Sequence, residues 1–258
     1  MLMRRKVWME FANTYRDVII YLPNNYKKTD KHYPVLYIND GQNAFIDKEA
    51  YAGKSWGFVD YARKNKIDVI MVAIYCSFEP WQRECEYGPW PISEELSYFE
   101  TNQKGVLIGG KGDQYVQWLI NDLKPMIDHH YRTIKEDTAI VGSSMGGVIS
   151  AYASLAYPHV FKKCAALSTA FWLYPHEFKE LIAKQNLSAL ECFYFDIGSD
   201  EGCGKDVANE WYRETNAEIL KLLQTKVENL HFCYVGKASH NEWAWSNRLD
   251  NFMKLFYK

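Results

Sequence analysis

A chain of 258 residues with 48% hydrophobic and 24% charged side chains is large enough for a substantial core and has an ordinary globular balance. Thirty Lys and Arg against 32 Asp and Glu give a formal charge of −2, and no basic run is interleaved with aromatics, so a nucleic-acid partner is not expected. The longest apolar runs, 34–38 and 68–75, are strand-length and far short of a membrane span, so no membrane partner is expected either.

Arg4, Arg5 and Lys6 are followed by no apolar stretch, because Glu10 and Asn13 interrupt it, and no signal peptide is expected. Six cysteines (Cys76, Cys85, Cys164, Cys192, Cys203 and Cys233) show no C-x-x-C spacing. Three of them fall in predicted strands, where a free thiol packs as a small hydrophobe, and this favours a reducing cytoplasm.

Residues 6–11 and 17–22 alternate apolar with polar side chains and predict two antiparallel edge strands joined at Asn13-Thr14-Tyr15. The near-continuous apolar run 34–39 predicts a strand buried on both faces, leading into Asp40-Gly41-Gln42-Asn43. A helix over 56–63 and a buried strand over 68–75 follow. Residues 76–113 are irregular and hold Phe78, Trp81, Tyr87, Trp90, Tyr98 and Phe99 among Pro80, Pro89 and Pro91. A connection that long is usually functional. Its rings suit one wall of a substrate site or, equally, an aromatic mini-core over the sheet edge. Gly109-Gly110-Lys111-Gly112 lacks phosphate-loop spacing and reads as a helix lead-in. Residues 115–131 predict one amphipathic helix, kinked or broken at Pro125. Strands over 138–141, 164–168, 192–197 and 230–235 alternate with helices over 177–184, 206–226 and 242–257. Strands alternating with helices after an antiparallel start predict an α/β fold: a mainly parallel central sheet with antiparallel N-terminal strands and helices on both faces, in one domain spanning 1–258.

The stretch Gly142-Ser143-Ser144-Met145-Gly146-Gly147 follows a β-branched run and opens a helical one. It fits G-x-S-x-G, the strained strand-turn-helix bend that lifts a serine hydroxyl above the sheet. Ser144 is therefore the candidate nucleophile, and Ser143 a structural neighbour. A serine hydroxyl attacks only when an imidazole takes its proton, and an acidic group must then orient and balance that imidazole. Two later strand-end loops supply Asp200 and Glu201, and then His240. Ser, acid, His is the chain order of an α/β-hydrolase. Asp196 lies on the strand itself, so Asp200 and Glu201 are the acids in reach of an imidazole. The oxyanion would be held by main-chain N–H groups of Met145, after the serine, and of Gln42, in the first strand-end loop. Phe171 and Trp172, just past the strand over 164–168, join Trp81, Tyr87 and Trp90 as candidate substrate-binding residues. Asp128-His129-His130 carries no metal reading, since adjacent side chains do not share a helix face; this chemistry calls for no metal or organic cofactor.

With Tyr33-Pro34-Val35-Leu36-Tyr37, Asp40-Gly41-Gln42-Asn43, the Ser-Met-Gly-Gly elbow, Gly198-x-x-Glu201 and a late His240, the chain from about Arg16 onward resembles the esterase D-type esterases. That group includes feruloyl and acetyl-xylan esterases, enterochelin esterases and mycolyltransferases. The resemblance implies an α/β-hydrolase fold, Glu201 as the acid, and Gln42 and Met145 as oxyanion donors. It departs from any assignable substrate signature in 76–113, where Arg83, Glu86 and Tyr87 occur. The expected function is a cytoplasmic serine esterase acting on a small-molecule or carbohydrate-linked ester through an acyl-enzyme. The alternatives are acyl transfer by the same residues and a non-catalytic binding role. A homo-oligomer is left open.

Overall fold

The computed structural model describes residues 1–94, 96 and 104–257; Tyr98 and Phe99 lie outside the described residues. Eight strands form one sheet: β1 (Leu2–Met9), β2 (Thr14–Tyr21), β3 (Tyr33–Ile38), β4 (Ile70–Ile74), β5 (Thr133–Ser143), β6 (Lys163–Leu167), β7 (Cys192–Asp200) and β8 (Leu230–Ser239). They lie in the order β1-β2-β4-β3-β5-β6-β7-β8. β1 and β2 pair antiparallel with each other, and β2 pairs antiparallel with β4. From β4 to β8 all neighbours are parallel.

Strand residues alternate between the two faces, as the pleat requires. Val35, Tyr37, Ile70, Val72 and Ile140 face one apolar layer, while Leu36, Ile38, Met71, Ala139 and Val141 face the other. The first layer is closed by α3 (Gly112–Trp118), α4 (Lys124–His130), α5 (Met145–Ala156), α6 (Pro175–Lys184) and α7 (Asp206–Leu223), through residues such as Val116, Ile127, Val148, Phe178 and Ile219. The second is closed by α1 (Phe58–Lys64) and α9 (Leu249–Phe256), through Phe58, Phe252 and Phe256. The α/β-hydrolase architecture follows: helices on both faces of a mainly parallel sheet.

β5, β7 and β8 run longer than expected and β2 starts earlier, and four other elements differ as well. β1 begins at Leu2, an edge strand on which Arg4 and Arg5 both stay exposed, and a 3₁₀ turn, Glu10–Ala12, leads to the left-handed Asn13. Residues 76–113 include a short helix, α2 (Gln82–Tyr87). Its six residues are too few to display a helical period between Pro80 and Pro89. The predicted 115–131 helix is three pieces, α3, a π turn over Leu119–Leu123, and α4. Pro125 stands in the first turn of α4, where no intrahelical N–H is needed. The last predicted helix is two, α8 (Glu242–Ser246) and α9, because the chain turns at Arg248 to send its guanidinium into the sheet toward Asp196.

β3 is the switch in strand order, with β4 on one side and β5 on the other. In open α/β sheets the crevice at such a point, beyond the carboxyl ends of the strands, is where ligands bind. The loop after β3 and the turn after β5 meet there.

Candidate active site

The turn after β5 places Ser144 at φ 56° and ψ −122°, a backbone conformation costly for any residue with a side chain. It persists because its surroundings leave no alternative. Ser144 N–H donates to the Leu167 carbonyl (2.9 Å), and α5 starts immediately afterward. A Cβ on Gly142 would come within 2.4 Å of the Gly146 carbonyl carbon, so strand and helix can close this tightly only with glycine there. As the first residue of α5, Met145 has an N–H with no intrahelical acceptor, beside the positive end of a twelve-residue helix.

The loop after β3 approaches from the other side. Asp40 is left-handed (φ 52°) and opens the 3₁₀ turn Gly41–Asn43. The need for glycine at position 41 is close approach: a Cβ would lie 2.4 Å from the Ala73 carbonyl carbon on β4. The buried Gln42 side chain is tied back to the residue at the end of β4. Its Nε2 donates to Cys76 Sγ (3.1 Å), and its Oε1 accepts the Cys76 N–H (3.2 Å). Burial, reinforced by the neighbouring Asp40, pushes the Cys76 thiol up to about 12, so the sulfur is a neutral partner. With the side chain fixed, the Gln42 main-chain N–H sits in the first turn of the 3₁₀ segment, where helical geometry gives it no acceptor. Asp40 itself is clamped. Its N–H donates to Tyr87 Oη (3.0 Å), and its carboxylate accepts both Arg83 Nε (2.7 Å) and Nη2 (2.8 Å).

The loops after β7 and β8 bring Glu201 to His240, with Nδ1 2.7 Å from Oε2. An ionised carboxylate only accepts, so Nδ1 carries the proton and the Nε2 lone pair remains for a hydroxyl. The carboxylate is buried, which by itself would raise its pKa. The His240 hydrogen bond and charge, the Gly198 N–H and the Ser168 hydroxyl outweigh that and hold it below the ordinary carboxylate value. Ser168 is fully buried and uses all its capacity. It donates to Glu201 Oε1 (2.7 Å) and accepts from Trp245 Nε1 (2.8 Å) and Arg248 Nη1 (3.0 Å). Trp245 closes the circle by setting its ring edge-on to His240, 5.0 Å between centroids, and Tyr212 flanks the imidazole at 5.4 Å. Arg248 reaches on to Asp196 at 2.7 Å.

Ser144 and His240 line one cleft of about 490 Å³ with Gln42, so the structure brings together the serine, the imidazole and the two loops singled out in the sequence. Asp200, the competing acid, points away. It accepts Gly204 N–H (2.7 Å) and Ser239 Oγ (3.1 Å), which hold its carboxyl below the usual range, and it does not meet His240. Among the five aromatic residues expected at the substrate site, Trp172 borders a second cavity beside Ser144. The others are corrections. Tyr87 and Phe171 are fully buried, the first holding Asp40 and the second packed on Phe178 and Phe195. Trp90 packs against Tyr152, Tyr174 and Phe178, and Trp81 packs on the larger apolar layer. Large rings in a proline-rich segment lose more water-exposed area by covering the sheet than by lining a wet cleft.

Ser168, Trp245 and Arg248 escaped sequence reasoning. Trp245 read as one more apolar helix position, and Ser168 and Arg248 carry no motif. Position offered a partial signal, since Ser168 immediately follows a parallel strand at the ligand edge of the sheet. Among the described residues, no group of three His, Cys, Asp or Glu is arranged to hold a metal ion, and no helix is long and apolar enough to cross a membrane.

The family model described as "Putative esterase" matches residues 10–256. The chain belongs to this esterase family. It is an esterase on an α/β-hydrolase fold. By sequence the esterase is 24% identical over 213 residues to the uncharacterized protein YbbA of Bacillus subtilis, covering 82% of this chain and 79% of that one. Several solved structures share its fold, two of them hydrolases by name. An IroE-like serine hydrolase from Shewanella oneidensis superposes with a TM-score of 0.80 at 20% identity, over 99% of this chain and 80% of the other. The siderophore hydrolase EstA from Aspergillus nidulans does so at 0.75 and 16% identity, over 99% and 94%.

Proposed function

We propose that this esterase hydrolyses small-molecule carboxylic esters, with Ser144 as nucleophile, His240 as general base and then acid, and Glu201 as the carboxylate that orients the imidazole. The observation that carries the reading is the 2.7 Å contact of His240 Nδ1 with Glu201, in the same cleft as a serine held at φ 56°. His240 Nε2 takes the Ser144 proton as Oγ bonds to the acyl carbon. The carbonyl oxygen becomes an oxyanion accepting the main-chain N–H groups of Gln42 and Met145. When the C–O bond to the alcohol breaks, His240 returns the proton to the leaving oxygen. Water then repeats the sequence on the acyl-enzyme and releases the acid. Electrostatic stabilisation by two such donors is worth on the order of 10²–10³ in rate for each. The cysteines, dispersed without paired spacing, support a cytoplasmic setting.

The test is turnover of a p-nitrophenyl ester series, acetate to octanoate, by the wild type and by Ser144→Ala. The expected result is loss of at least about 10³-fold in kcat with an unchanged circular dichroism spectrum and melting profile. Retained turnover in the purified variant contradicts the assignment of Ser144.

A further inference from the structure

Ser144 stands where two cavities meet that differ in the acidic side chains around them. The larger, about 490 Å³, holds His240 together with the carboxylates of Asp40, Glu79, Glu84 and Glu242. The smaller, about 240 Å³, is walled by Ile92, Ile108, Met145, Ala170, Trp172 and Tyr212. Ser144, Arg83 and Glu84 border both.

The path of the proton tells the two apart. The leaving alcohol must receive its proton from His240, and His240 lines the larger cavity and not the smaller. The alcohol part of the ester therefore occupies the larger cavity. With the alcohol in the larger cavity, the acyl chain is left the smaller one, which also borders Ser144 and is lined mostly by aliphatic and aromatic side chains.

Charge then distinguishes the alcohols. Arg83 is the cation on the larger cavity, and its fork is already spent on Asp40, with Glu84 a further 3.7 Å contact. Glu79 and Glu242 remain facing the alcohol, and Asn43 Nδ2 reaches one Glu242 oxygen at only 3.3 Å. An anionic alcohol would enter a field of like sign, whereas a cationic one would lower the repulsion among the carboxylates.

We propose, resting on the triad reading above, that the substrate is an ester joining a compact apolar acid, seated between Met145, Ala170 and Trp172, to a polar, positively charged alcohol, seated between His240, Glu79 and Glu242. The smaller cavity, about 240 Å³, is about half the volume of the larger and suits a short acyl group.

The experiment uses the intact protein and three butyrate esters with alcohol parts of similar size: choline, 3,3-dimethylbutanol and 3-hydroxypropionate. The expected kcat/KM falls in that order by roughly tenfold per step at low salt. The spread shrinks in about 1 M salt, where the screening length is near 3 Å, and in Glu79→Gln. Equal rates, or preference for the anion, overturn the charge assignment. For the acid, Ala170→Leu should shift the preferred p-nitrophenyl ester to a shorter chain and Trp172→Ala to a longer one. A chain-length profile unmoved in both variants overturns the acyl assignment. Ser144-dependent turnover of p-nitrophenyl acetate is measured alongside. Its loss in wild type would strike the triad reading itself, while its presence with failed selectivity strikes the two-chamber proposal alone.

Discussion

The two sides of the cleft are held by different kinds of structure. On the β7–β8 side, Glu201 and His240 rest on a closed set of buried partners: Ser168 just past the end of β6, Trp245 on α8, and Arg248 at the turn between α8 and α9. On the β3 side, the loop carrying Gln42 is fixed by Arg83 and Tyr87, which come from α2 in the long connection after β4. In the proposed mechanism, acid–base chemistry is thus secured from the parallel sheet's end, and oxyanion binding by an excursion of the chain. The excursion also walls the smaller cavity, through Ile92 and Ile108. A change there can retune the substrate and the oxyanion site together, while the proton-transfer side is insulated.

The sharpest break of this comparison is Glu201→Gln. A neutral amide cannot balance an imidazolium and presents the wrong group to Nδ1, so kcat should fall by about 10³–10⁴-fold, with KM little changed. Stopped-assay kinetics on p-nitrophenyl acetate check it, and Asp200→Asn should stay within about threefold of wild type. A reversed ranking would transfer the role to Asp200.

Next comes the oxyanion side. Arg83→Met removes both hydrogen bonds to Asp40, and the loosened loop should cost about ten- to a hundredfold in kcat, less than deleting an oxyanion donor outright. Because the loss lies in transition-state binding, kcat should fall more than KM rises. Arg83→Lys keeps the charge without the fork and should recover only part of the rate.

Ser168→Ala distinguishes the two sides in a different currency. It leaves the Trp245 N–H unpaired and takes a donor from buried Glu201, at a cost of about 1–3 kcal/mol in stability measured by urea unfolding. Arg83→Met should cost at least as much by the same measure, since it leaves the buried Asp40 carboxylate without its two-pronged partner.

The smallest effect is in pH. Glu201 is held below its ordinary pKa in the folded state, so the stability it contributes is complete above about pH 4.5 and is lost as the pH falls through its lowered folded-state value. The melting-temperature gap between wild type and Glu201→Gln should therefore be widest near neutral pH and narrow below about pH 4.5. A gap that widens on acidification would mean that the carboxyl is protonated in the native protein.

Much of this arrangement was legible in the sequence because it depends on local chemistry. The apolar runs around Leu36, Met71 and Phe195 mark buried parallel strands, and a serine between paired glycines after a β-branched run marks the elbow. The competition between Asp200 and Glu201 was not decidable from pattern. Both lie within reach of the next strand's loop, and the outcome turns on the strand β7 continuing through Asp200, which aims that carboxylate at Ser239 and delivers Glu201 inward. The choice between a cleft wall and an aromatic mini-core for the rings of 76–113 was open for a similar reason, and the structure divides them: Phe78 lines the cleft, while Tyr87 and Trp90 pack inward. Whether a ring such as Trp90 lines a cavity or covers a sheet depends on helices α5 and α6, far along the chain, and no local signal records it. Arg248 breaks a clean helical pattern because a buried carboxylate on another element, Asp196, needs a partner.

The central claim is that the acyl group passes through Ser144. Rapid-quench mass spectrometry of the protein mixed with p-nitrophenyl butyrate, followed by peptide mapping, tests it directly. The account predicts a transient butyryl adduct on the peptide carrying Ser144 that forms and decays at the turnover rate, and no adduct in Ser144→Ala; His240→Ala should slow its formation as well as its decay. Turnover without any adduct, or an adduct on another residue that forms and decays at the turnover rate, would contradict it.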